Sequence, residues 1–429
     1  MRFTLILVFL ISILTARGQQ NYTDPVYYTN HIFNAKIKSV QLYQERWNLS
    51  YPILKLNSGE KLVCHFDLLD NQPEAYSYTF IHCDKDWNRS DIFPNDYTDG
   101  YSENPVEDYQ SSFNTTVGYT HYKVAFPNDR VKLKFSGNYI LVIYPTDNPD
   151  EPAITQRFIV TEDAVKINID VHRPQMSSEK DTQQQVDFTV AYAGQSFTDP
   201  YRNFYAFILQ NGRWDNAKKN LKPDFFGVNE LKYNSLSEKN IFQGGNEFRY
   251  FDIKSIRYQT EYVKGIEFAN SYYNVFLFPS DSREFKPYFY WQDFDGKYYI
   301  AVQEGKKYDI DADYVYVYFT LPSKQMIAGG NMYVSGGLNN WVFDKNNQMT
   351  YNPKNEQYEC TMLLKQGWYN YEYVYLKNGS PDGTASLFEG SHYETENDYN
   401  VLIYYRNPQD RYDRAVGSVS YNTLNRLSN

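Results

Sequence analysis

Residues 132–145 read KLKFSGNYILVIYP, and this stretch decides the fold. A turn former, Ser136-Gly137-Asn138, separates two short runs in which large apolar side chains mix with polar ones. Aromatic and β-branched residues suit a pleated surface, so both runs read as strands of a partly buried sheet, one face in and one face wet. The same signature recurs outward at 37–43 (IKSVQLY), 60–68 (EKLVCHFDL), 76–83 (YSYTFIHC) and 121–127 (HYKVAFP). Asn57-Ser58-Gly59, Asp70-Asn71 and Pro127-Asn128-Asp129 punctuate them. Short strands at regular spacing with such turns indicate a β-sandwich. Residues 84–110 carry Trp87, Pro94, Gly100 and Pro105 without a period and read as a long loop.

Further along, the pattern predicts two more sandwich units. Strand-like runs at 186–192, 203–214, 241–253, 271–278 and 297–302 form a second set, with Asn211-Gly212 as its clearest hairpin turn. Runs at 313–322, 331–341, 358–376 and 398–406 form a third. The expected organisation is therefore an all-β chain of tandem sandwich domains: 19–160, 161–307 and 308–406. Residues 407–429, polar with charges of both signs, read as an extended or loosely docked tail. No amphipathic helical period stands out beyond the first residues.

Residues 1–18, MRFTLILVFLISILTARG, have the layout of an export signal: Arg2, an apolar run, then Ala16-Arg17-Gly18. Cleavage is expected after Gly18. The run is too short to span a bilayer, and no later stretch reaches 18 apolar residues. The 42 Lys+Arg against 52 Asp+Glu leave a net charge of −10 with no basic block, which excludes a phosphate-binding surface for nucleic acid. Forty-four Tyr, 28 Phe and 6 Trp make 18% of the 429 residues aromatic, so most of the chain is not disordered. That much Tyr in an exported chain favours a protein-binding surface, although most of these rings must cover sheet faces. A membrane β-barrel would share the aromatics, but the strands are short and the turns Pro-rich.

Catalytic signatures are missing: no G-x-S-x-G, H-E-x-x-H, C-x-x-C or phosphate-binding glycine loop occurs. No catalytic, cofactor or metal residue is assigned. His82-Cys83-Asp84 with Asp86 reads as a strand end entering a turn, and Asp293-Phe294-Asp295-Gly296 as a turn. Asp309-Ile310-Asp311-Ala312-Asp313 has the acidic spacing of a calcium loop but lacks its glycine, so it reads as a solvated strand entry. Cys64 and Cys83 are candidates for a disulfide; the other reading is two buried thiols.

Two resemblances add to this reading. Residues 332–341 (MYVSGGLNNW) with 365–373 (KQGWYNYEY) resemble the early-set immunoglobulin-like modules that bind starch and glycogen. Trp341, Trp368 and Tyr333 are then candidates for stacking on a sugar or a partner; the alternative is that they pack the sandwich. The blocks at 37–62, 76–91, 104–129, 132–145, 243–257 and 390–406 together resemble the plug protein of the type IX secretion system of Bacteroidota. The resemblance implies immunoglobulin-like sandwich domains, no catalytic residues and no cofactor. It further implies a periplasmic protein held at the outer membrane by a partner, the translocon β-barrel, whose periplasmic opening it closes. A small-molecule ligand is not expected on this reading. The runner-up is an exported carbohydrate-binding protein that uses the C-terminal early-set module.

Overall fold

The computed structural model describes residues 24–424 apart from 71, 176–177 and 235–237. The expected export signal lies outside the described residues. The chain is almost entirely β, and each described helix is a single short turn, such as Pro94–Tyr97 or Tyr308–Asp311. Among the described residues no helix is long and apolar enough to cross a membrane.

The N-terminal unit is a sandwich. One sheet runs His31–Ile32, Ile154–Thr161, Gly137–Pro145, Tyr76–Cys83 and Asn104–Pro105, with Ile53–Lys55 added in parallel on Ile154–Thr161. The facing sheet runs Ile37–Gln44, Leu62–Leu68, Thr120–Phe126 and Asp108–Ser111. Side chains alternate across each strand, so Tyr139, Leu141 and Ile143 meet Phe66, Tyr122 and Phe126 in the core between the sheets. The segment expected as a long loop, 84–110, instead contains a helical turn and several short strands.

The intervening residues of the same strand correct the one-wet-face expectation. Ile140, Val142 and Tyr144 are also buried, because a second sheet covers them. That sheet contributes Phe207, Leu209, Leu402 and Tyr404, and the two outer faces make a continuous apolar core between units. Full burial of each such side chain contributes roughly 1.5–3 kcal/mol. Tyr404 Oη donates to Asn138 Oδ1 at 2.6 Å within this core, and Arg414 pairs with Glu162 at 2.6 Å beside it.

Domain boundaries differ from those expected. The sheet covering the N-terminal unit runs Lys218–Leu221, Phe204–Gln210, Asp398–Tyr405 and Arg414–Asn422. Residues 398–406, expected in the C-terminal unit, thus complete the middle one, and the tail supplies its edge strand rather than lying loose. The opposing middle sheet is built on Lys166–His172 and Gln183–Ala191. Conversely, Tyr272–Leu277 and Tyr298–Ile300, expected in the middle unit, belong to the third. The third unit is inserted into the second, entering near Gly244 and returning near Asn397. The stretch 241–253 is accordingly two strands, Ile241–Gln243 and Arg249–Asp252, in different sandwiches.

The two crossing segments are laced together. His392 N donates to Gly245 O, and Asn397 Nδ2 to Gly244 O, each at 2.8 Å. Gly244 is required here, since a Cβ would sit 2.0 Å from the His392 carbonyl oxygen. The inserted unit stacks Val263–Ala269, Tyr272–Leu277, Tyr314–Pro322, Gln357–Lys365 and Thr350–Asn352 against a sheet centred on Gly367–Lys377. Phe251, Phe319, Tyr369 and Tyr371 fill its core.

Candidate docking surface

The predicted contact residues are packed rather than presented. Tyr333 is buried. Trp368 lies between Tyr250 and Tyr299 with near-parallel rings, centroids 5.3 and 6.2 Å away, and Phe294 meets it edge-on at 4.5 Å. Trp341 is half-buried; the Arg213 guanidinium sits 4.4 Å from its ring centroid and Phe248 contacts it at 5.8 Å. Arg213 in turn pairs with Asp215 at 2.6 Å and Glu372 at 3.0 Å, so Trp341 braces the junction of the inserted and middle units. Trp368 is thus flanked by two tyrosine rings, and one face of Trp341 is taken by the Arg213 guanidinium.

Of the two readings of Cys64 and Cys83, the structure gives the buried thiols and not the disulfide. Cys64, Cys83 and Cys360 are free and buried. Cys64 belongs to the sandwich core, whereas Cys83 belongs to the core between units, so their side chains serve separate layers. Burial pushes the Cys64 and Cys360 thiols up to about 12 and the Cys83 thiol higher still, which keeps them inert packing groups. His82 bonds Ser90 Oγ at 2.8 Å and the Ser136 carbonyl at 3.1 Å at its strand end, as the turn reading required.

Buried ionic contacts join the units. Asp67, on Leu62–Leu68 of the N-terminal unit, accepts from Lys365 Nζ at 2.6 Å and Tyr314 Oη at 2.7 Å, both from the inserted unit. Burial alone would raise the Asp67 carboxyl, but Lys365 and His121 hold it below its ordinary value. Asp313 accepts from the Thr116 backbone and hydroxyl, each at 2.7 Å, across the same boundary. Glu389 is 1% exposed and is clamped by Arg249 at 2.9 Å and Arg283 at 2.6 Å. Burial opposes its ionisation, yet the two guanidinium groups bring it down to about 2. The Asp67 and Asp313 contacts thus join the N-terminal and inserted units, whereas the Glu389 clamp braces the inserted unit internally.

Carboxylates also crowd the crossing into the inserted unit. Glu247 accepts from Tyr288 Oη and from Glu396 N, while its other oxygen is buried without a partner. Burial raises the Glu247 carboxyl to about 7. Burial, with Glu247 nearby, also raises Asp293 well above the usual carboxylate range.

What the body leaves exposed is a set of aromatic and aliphatic tips. At the hairpin joining Phe225–Gly227 to Glu230–Tyr233, Phe225, Phe226 and Val228 are 60%, 71% and 94% exposed. Tyr201 meets Phe226 at 5.2 Å and extends this patch. In the inserted unit, Phe285 and Phe289 are 90% and 72% exposed. Large apolar groups held out in water on a rigid frame are a feature of protein-binding surfaces. The run Phe225-Phe226-Gly227-Val228, apolar without alternation between Asp224 and Asn229, was the available sequence signal for the first patch.

Fold and surface together define a multi-unit β-sandwich with exposed apolar patches. Comparison with known proteins narrows the class. Residues 37–162 match the family described as type 9 secretion system plug protein 1st domain. A crystal structure of a hypothetical protein from Parabacteroides merdae is 34% identical, with a TM-score of 0.89 over 92% of this chain and 99% of that one. Among curated proteins nothing matches. Residues 37–162 thus belong to the type IX secretion plug family, which is not an enzyme family and ties the protein to type IX secretion in the cell envelope.

Proposed function

We propose that the protein is a non-enzymatic plug that closes the periplasmic opening of the outer-membrane type IX translocon when no substrate occupies it. Its partner is the translocon β-barrel protein, and its place is the periplasm at the outer membrane. The observation that carries this reading is the continuous burial between units: Ile140, Val142 and Tyr144 against Phe207, Leu402 and Tyr404. A wide aqueous opening is sealed by a body that does not bend, and this core removes the hinge between the first two sandwiches. The laced crossing at Gly244 and Asn397 and the Asp67–Lys365 pair restrain the third.

The exposed patch of Tyr201, Phe225, Phe226 and Val228 is the contact assigned to the barrel rim. A small aromatic patch in a polar surround suits an interface that must release. The test is copurification of the chain with an affinity-tagged translocon. Recovery of the wild-type chain and loss of the Phe225→Asp/Phe226→Asp variant supports the reading; equal recovery of both removes the patch from it, and recovery of neither removes the partner.

A further inference from the structure

Where the N-terminal and inserted units meet, two histidines and an aspartate converge. His65, on Leu62–Leu68, and His121, on Thr120–Phe126, project from one sheet face, with Nδ1 of the first 3.0 Å from Nε2 of the second. Asp309, from the helical turn Tyr308–Asp311 of the inserted unit, brings Oδ1 to 3.9 Å from His121 Nε2. The three donor atoms all lie within 4.8 Å of one another. They line a cavity of about 10 Å³, floored by Ser39, Gln41 and Tyr43. We propose that His65, His121 and Asp309 bind a divalent transition metal, zinc by preference.

The donor set supports that choice. Two imidazole nitrogens and one carboxylate oxygen suit Zn²⁺, with water as the fourth ligand. His121 Nδ1 stands 2.6 Å from the buried Asp67 Oδ1, so it donates there and its Nε2 lone pair accepts from His65 Nδ1, the hydrogen bond that a metal ion between the two nitrogens would replace. That carboxylate–histidine relay is the arrangement that orients metal-binding imidazoles. The Asp67 and Asp309 carboxylates balance the nearby Lys365 and Lys123 ammonium groups, so the cation would meet a neutral surround whose nearest anionic oxygen is that of Asp309. The Asp309 side chain is 39% exposed, which provides an entry path.

The site also accounts for part of the acidic run 309–313. Its carboxylates do not converge on calcium. Asp311 accepts from the Lys306 and Lys307 amides at 2.9 Å, Asp313 from Thr116, and Asp309 turns to the histidines. Because Asp309 belongs to one unit and both histidines to another, the metal would clasp them together.

The experiment is calorimetric titration of Zn²⁺ alone into the full chelator-treated chain, with Co²⁺ absorption as a second readout of four-coordinate geometry. The expected result is one Zn²⁺ per chain, at least tenfold weaker after His65→Gln and after Asp309→Asn. Asp309 is half-exposed, so the second variant folds, as circular dichroism would verify. No binding by the wild-type chain, or binding that survives either substitution, overturns the proposal.

Discussion

Lys365 Nζ stands 2.6 Å from Asp67 Oδ2, with both side chains essentially removed from water, one in the inserted unit and one in the N-terminal unit. Tyr314 and His121 occupy further acceptor positions of the same carboxylate. The pair therefore reports whether the two sandwiches stay docked. Removing one partner strands a buried charge.

Lys365→Met should lower unfolding stability by about 3–5 kcal/mol. The double variant Lys365→Met/Asp67→Asn should lose less than the two single losses combined, because it removes both charges. Chemical denaturation of the four proteins measures the coupling. Strict additivity would mean that the contact does not join the units energetically.

Phe207→Ala tests the core between the first two units. Phe207 is fully buried there, and truncation should cost about 3–5 kcal/mol. Because that layer lies outside both sandwich cores, limited proteolysis should now cut between the N-terminal and middle units. A variant that resists cleavage as the wild type does would indicate that the interface is dispensable to rigidity.

Glu247 sets a pH dependence. Its folded value, about 7, lies above the ordinary 4.5, through burial first, with the Glu396 carboxyl adding to the rise and Tyr288 and Arg283 opposing it. Between those values the folded state holds a proton that the unfolded chain has released, so this group's stabilising contribution is present at low pH and is lost as pH rises through about 7. Glu247→Gln should flatten the fall in Tm between pH 5.5 and 8 and raise Tm at pH 8. A parallel pH profile in the variant would show that Glu247 does not govern it.

The strands themselves were legible. Alternation and turn chemistry placed Tyr76–Cys83, Gly137–Pro145 and the Asn211-Gly212 hairpin, whose two turn residues adopt φ of 54° and 69°. Which strands pair was not, because the pairing is non-local. Phe204–Gln210 lies beside Asp398–Tyr405 with the whole inserted unit between them in the chain. No local pattern records that partner, so boundaries read from spacing fell in the wrong places. For the same reason the sheet carrying Gly137–Pro145 read as wet on one face: the sheet that covers Ile140 and Val142 belongs to another unit. Trp341 and Trp368 carried a motif, but a motif does not say whether Arg213 or Tyr250 already occupies the ring.

The packed state of those rings makes its own prediction. Native gels containing α-glucan should not retard the chain, and Trp368→Ala should lower stability through lost aromatic contacts without changing mobility in the polysaccharide. Retardation abolished by Trp368→Ala would restore the carbohydrate reading.

If the body seals an opening by occupying it, as proposed, its removal changes what crosses the outer membrane. The measurement is entry of a large, normally excluded antibiotic or dye into cells with and without the protein. Deletion should increase entry, and re-expression of the wild-type chain should restore the barrier, whereas the Phe225→Asp/Phe226→Asp variant should not. Unchanged permeability in the deletion strain, with the translocon present at its normal level, would contradict the account.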